Sequence, residues 1–126
     1  MSQWQETRER LREFALGFPA AHEEFPWGES VVKVNKKIFV FLGLEEPTEK
    51  WGPKLSVKLG ESNGHALSVP GAAPTSHGLG RSGWVTVPFT DDMPDFDVLC
   101  DWVEESYRIV APKRLVAELD APEGGR

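Results

Sequence analysis

The sequence predicts an α+β domain: a twisted antiparallel sheet with an N-terminal and a C-terminal helix packed on one face. Three observations point there. Apolar residues recur at helical spacing near both ends of the 126-residue chain. The middle of the chain alternates apolar and polar residues with period two. The glycine run Gly78-Leu79-Gly80-Arg81-Ser82-Gly83 leads into Trp84-Val85-Thr86-Val87, a segment of β character.

Residues 3–18 read as an amphipathic helix. Trp4, Leu11, Phe14, Ala15 and Phe18 form its apolar stripe, Glu and Arg fill the other side, and Gly17 and Pro19 mark its end. Residues 20–29 read as a linker, and Trp27 between Pro26 and Gly28 reads first as packing. Residues 31–42 form a hairpin turning at Asn35-Lys36, with a three- or four-residue loop as the alternative because Lys36 is not the ideal second turn residue. Residues 45–53 form a charged loop containing Trp51. Residues 54–59 alternate: Leu55, Val57 and Leu59 point one way, and Lys54, Ser56 and Lys58 the other.

A short helix is expected over residues 61–69, with Ala66, Leu67 and Val69 as its apolar side, stopped by Pro70-Gly71-Ala72-Ala73-Pro74. The next strand is residues 84–87, which Phe89 extends. Asp91 or Asp92 caps a long helix with Pro94 in its first turn. That helix runs to about residue 110 on a stripe of Phe96, Leu99, Cys100, Val103, Tyr107 and Val110, widened by Trp102 and Ile109, and Pro112 ends it. Residues 113–119 add a helical turn. The whole chain, 1–126, reads as one domain with its core at about 3–119 and a flexible tail at 120–126. The sheet is expected to have four or five strands.

An apolar share of 40% supports one core. Charged residues interrupt the N-terminal segment, and no window approaches the ~20 apolar residues a membrane span needs. The expectation is a soluble cytoplasmic protein. A lone Cys100 excludes an internal disulfide and a cysteine-built zinc site. Net charge is −6, but its distribution is uneven. Residues 31–90 carry seven basic groups (Lys33, Lys36, Lys37, Lys50, Lys54, Lys58, Arg81) against four acidic ones, and both ends are acidic. A sheet built from the middle would show a positive surface on an acidic molecule. The competing reading is that these lysines only guard strand edges.

Each literal motif lacks its context. The run from Gly78 to Gly83 matches G-x-G-x-x-G, but a dinucleotide turn needs a strand before it and a helix after it. Here a strand follows, so the glycines shape a tight approach into it. Gly60-Glu61-Ser62-Asn63-Gly64 matches the G-x-S-x-G nucleophile elbow. No acid lies between Ser62 and His77 and no His follows, so the triad order fails and Ser62 reads as a helix cap. His22, His65 and His77 are scattered without metal-ligand spacing. His22-Glu23-Glu24 reads as a solvated charge run, and Cys100 as an inert core residue. No catalytic, metal or cofactor residue is assigned. The binding candidates are Lys33, Lys36, Lys37, Lys54, Lys58 and Arg81 for phosphates, with Ser56 and Thr86 as added hydrogen-bonding groups.

Several segments together resemble the MmcQ/YjbR family of small bacterial proteins. They are Phe25-Pro26-Trp27-Gly28-Glu29, Lys37-Ile38-Phe39-Val40-Phe41-Leu42, Lys54-Leu55-Ser56-Val57-Lys58, Pro74-Thr75 with Gly78 through Val87, and Ser106-Tyr107-Arg108-Ile109-Val110-Ala111-Pro112-Lys113. The resemblance covers nearly the whole chain. It implies a frataxin/CyaY-like α+β fold and a DNA-binding role without catalytic residues. It also implies architectural roles for Trp27, Trp84 and Tyr107. The expected function is therefore a non-enzymatic binding protein that contacts DNA through a basic sheet face. The alternative is a small-ligand or protein-interaction module on that face, with Trp51 and Trp84 lining a groove near Arg81. Neither needs a cofactor, a metal or a membrane.

Overall fold

The computed structural model describes residues 3–25, 29–43, 54–76, 78–90 and 93–121. The expectations for Trp27, the 45–53 loop with Trp51, His77 and the caps at Asp91 or Asp92 lie outside these residues.

Helix α1 (Gln3–Leu16) comes first. Strands β1 (Ala21–Glu24), β2 (Ser30–Val34), β3 (Lys37–Gly43) and β4 (Lys54–Lys58) follow, then the short helix α2 (Asn63–Leu67). A two-residue strand β5 (Ala73–Pro74) and a 3-10 turn (Leu79–Ser82) lead into β6 (Trp84–Pro88). Helices α3 (Phe96–Val110) and α4 (Lys113–Asp120) close the described chain. Among the described residues there is one six-stranded sheet, ordered β1-β2-β3-β4-β6-β5 and antiparallel throughout. The α+β class holds.

The six strands exceed the expected four or five, β1 and β5 being the additions. The segment expected to be a linker contains β1, which pairs with β2 from Ala21↔Val34 to Glu24↔Val31. The other extra strand, β5, pairs with only two residues of β6. The hairpin turn has two residues, since Val34 pairs with Lys37, and Asn35 takes the left-handed conformation at φ 56°. Helix α3 starts at Phe96, with Asp95 in the cap position and Pro94 before it rather than in the first turn. Of the tail expected from residue 120, Asp120 closes α4 and chelates the Arg108 guanidinium through both carboxylate oxygens, at 2.7 and 2.9 Å.

Helices α1 and α3 lie against each other and against one sheet face: α1 contacts β1, β2 and β3, and α3 contacts β3 and β4. Between the layers, Leu11, Ala15 and Phe18 meet Val32, Val34, Phe39, Val40, Leu42, Leu55, Val57, Val85 and Val87, together with Leu99, Trp102, Val103 and Tyr107. Tyr107 stacks on Phe18 (4.7 Å between centroids), meets Phe39 edge-on (5.2 Å) and donates its hydroxyl to the Pro19 carbonyl at 2.8 Å.

Arg8 and Ser106 are polar side chains in this buried layer. Arg8 was expected on the polar side of α1, but it falls with Trp4, Leu11 and Ala15 on the inward face. Its guanidinium donates to the Leu42 carbonyl at 2.9 Å and the Gly43 carbonyl at 2.8 Å, where β3 ends. Ser106, fully buried on α3, donates to the Phe39 carbonyl and accepts from the Lys58 amide at 2.9 Å. The β3–β4 ladder pairs Val40↔Val57 and Phe41↔Ser56, so Phe39 and Lys58 are next in register. The hydroxyl sits between the carbonyl and the amide that would otherwise bond directly.

Candidate functional site

Strand alternation sorts the candidate residues between the two faces. On β4, Leu55 and Val57 enter the core, so Lys54, Ser56 and Lys58 share the face away from α1 and α3. Register carries that outer face across the sheet. Ser56 pairs with Phe41 and Thr86, Phe41 with Val31, and Val31 with Glu24. Lys33 is two residues from Val31 on β2 and opposite His22 on β1, so both join the same face. Lys54 and Lys58 stand about 13 Å apart along their strand.

Lys33, Lys54, Ser56, Lys58 and Thr86 thus converge on one face. Arg81 is exposed in the 3-10 turn just before β6. It lies at the sheet end shared with Lys58, Trp84 and the β2–β3 turn, where Lys36 is exposed. Lys37 does not join them: it pairs with Val34, a core residue, and alternates to the helix side.

The face is less open than its alternation alone implies. Val31 is fully buried, Ser56 is 8% exposed and Trp84 is 7% exposed. Large rings stand beside these small side chains, with Phe41 and Trp84 packed edge-on at 5.3 Å. A row of hydroxyls crosses the face: Ser56 Oγ to Thr86 Oγ1 is 2.8 Å, and Thr86 Oγ1 to Thr75 Oγ1 is 2.9 Å. Of the cations, Lys54 is exposed and Lys58 half-buried. Lys33 pairs with Glu24 at 3.4 Å, and His22 Nε2 reaches the other oxygen of the same carboxylate at 3.0 Å. Thr75, Phe41, His22 and Glu24 were not singled out for this face, because only cross-strand register brings them there.

The two glycine motifs have structural explanations. Gly83 has φ 99°, and a Cβ on it would stand 2.6 Å from the Leu59 carbonyl oxygen. A Cβ on Gly80 would meet Pro74 at 2.6 Å. These residues bring the turn against β4 and β5, as the strand-approach reading requires. Ser62 occupies the position before α2, but its hydroxyl does not cap the helix. It donates to Glu105 of α3 at 2.7 Å, and Glu105 also accepts the amides of Gly60 (2.8 Å) and Ser62 (3.2 Å).

Cys100 is half-buried, and burial together with the Asp97 charge pushes its thiol up to about 11, so it stays protonated at neutral pH. Among the described residues, no group of three or more His, Cys, Asp or Glu side chains is placed to hold a metal ion. No described helix is long and apolar enough to cross a membrane. A shallow cleft of about 500 Å³ lies on the helix side, bordered by Glu61, Asp101, Glu104, Arg108 and Ile109. It does not involve the lysine face.

The YjbR family model matches residues 16–109, from the end of α1 nearly to the end of α3. The chain is similar to a crystal structure from Deinococcus radiodurans whose domain carries the family label DUF419. That similarity is 25% identity and a TM-score of 0.70, covering 100% of this chain and 99% of the other. It is also similar in fold to a protein from Pseudomonas syringae, at 17% identity and a TM-score of 0.61, covering 87% of this chain and 99% of that one. No curated protein matches the chain.

Proposed function

The chain belongs to the YjbR family, and on that premise we propose that it is a non-catalytic, cytoplasmic binding protein whose outer sheet face meets the phosphates of DNA. One observation carries the reading. Alternation puts Lys33, Lys54 and Lys58 on the face opposite the helix layer, with the Ser56–Thr86–Thr75 hydroxyls among them and Arg81 at its end. The acidic residues of α3 belong to the helix layer behind the sheet. Ammonium groups and hydroxyls are the groups that position a protein on a nucleic-acid backbone.

Helix α3 carries Asp97, Asp101, Glu104 and Glu105, so it has no basic side to lay into a major groove. Binding through the sheet would be indifferent to sequence and sensitive to salt. Ser62, the residue of the hydrolase-like motif, spends its hydroxyl on Glu105, which supports a non-catalytic role. The near-complete burial of Trp84 against Phe41 favours a polyanion over an aromatic groove for a small ligand.

The test is a fluorescence-anisotropy titration of a labelled duplex over a range of salt. With about four phosphates neutralised, log K falls against log salt with a slope of about −3.6. Reversing Lys54→Glu and Lys58→Glu together should flatten that slope by about half. No duplex binding at low salt, or binding untouched by the reversal, removes the proposal.

A further inference from the structure

We propose that protonation of His22 is a charge switch on this face, adding a unit of positive charge beside Lys33 and tightening contact with polyanions. The inference rests on the DNA reading above. Its geometry is a three-residue cluster on adjacent strands. His22 and Lys33 are direct cross-strand partners, and Glu24, two residues along β1, bridges them. One Glu24 oxygen faces Lys33 Nζ at 3.4 Å and the other faces His22 Nε2 at 3.0 Å.

Both ring nitrogens of His22 face acceptors. Nε2 faces the carboxylate and Nδ1 faces the Ala20 carbonyl, at a longer 3.5 Å. A neutral imidazole has one N–H and can serve only one of them, whereas the imidazolium serves both. Among the described residues, no other charged group enters the cluster. Helix α1 packs on the opposite face of β1, where Arg12 joins Glu23 at 2.6 Å and Glu9 at 3.0 Å. With His22 neutral, the cluster has one cation and one anion and sums to zero. With His22 protonated, one carboxylate balances two cations and the face gains a unit of positive charge. His22 is 44% exposed on its side chain, so protons reach it freely. The Glu24 carboxyl reports the coupling: its surroundings raise it by desolvation, but donation from Lys33 and His22 outweighs this and holds it below the usual carboxylate range.

The experiment compares the duplex salt slope at pH 7.5 and 5.5 for the natural protein and for His22→Gln. In the natural protein the slope should steepen by about 0.9, one more phosphate neutralised. In His22→Gln it should not change with pH. A slope that ignores pH in the natural protein, or still steepens in His22→Gln, overturns the switch while leaving the DNA reading in place. If no duplex binds at either pH, the DNA reading fails, and an NMR titration of the Glu24 carboxyl decides the switch. His22→Gln should raise the Glu24 midpoint, and an unmoved midpoint refutes the cluster.

Discussion

Replacing Ser106 by Ala removes a single oxygen at the point where α3 grips the sheet. That oxygen accepts from the Lys58 amide and donates to the Phe39 carbonyl, and Ser106 is fully buried. Alanine leaves two main-chain groups without partners in the interior. Each orphaned group costs about 1–3 kcal/mol. Phe39 and Lys58 are next in register, so partial closing of the strands would recover some of the loss. The expected destabilisation is therefore about 2–4 kcal/mol. With a urea m-value of about 1.5–2 kcal/mol/M for a chain of this size, the midpoint should fall by about 1–3 M at constant m. Equilibrium unfolding followed by tryptophan fluorescence measures this directly. A loss below about 1 kcal/mol would mean that the carbonyl and amide bond each other once the hydroxyl is gone, and the wedge would then carry no stability.

Two further outcomes follow from the site geometry. Gly83→Ala combines a left-handed φ with a Cβ 2.6 Å from the Leu59 oxygen, whereas Gly78→Ala has a left-handed φ of 81° and open space around it. Chemical denaturation should show a cost of about 3 kcal/mol for the first and about 1 kcal/mol for the second, and equal costs would contradict the close approach. Glu23 is held below the ordinary carboxyl value of 4.5, chiefly by the hydrogen bond from Arg12, with Ser30 adding another against the opposing effect of burial. Its folded value is depressed, so its contribution is present above about pH 4.5 and is lost as pH falls through the folded value. Stability measured from pH 6 to 3 should decline less steeply in Glu23→Gln than in the natural protein.

The parts of the fold legible in the sequence are those where burial alternates with the residue pattern. Lys54 to Lys58 shows both faces of β4 in five residues, and Asn35 locates the hairpin turn. The stripe on α3 is legible too, with one shift: Trp102 lies at its buried centre, and Ile109, expected to widen it, is 44% exposed. Strand β1 is hidden because Ala-His-Glu-Glu is a polar edge strand with little to bury, defined by pairing with β2 rather than by its own pattern. Arg8 and Ser106 are hidden for another reason. Their burial is satisfied by carbonyls and an amide 34 and 67 or 48 positions away, at strand irregularities that no local pattern marks. The lysine face was half legible. Alternation gives the side each residue takes, but the partnership of Lys33 with Glu24 and His22 exists only once β1 is in place.

Glu105 shows how a small domain can silence a cradle of its own making. The main-chain amides of Gly60 and Ser62 and the Ser62 hydroxyl converge as they would around a visiting oxyanion, yet a carboxylate from α3 already fills the seat. The loop after β4 is therefore clasped from within. A visiting anion finds these amides already taken.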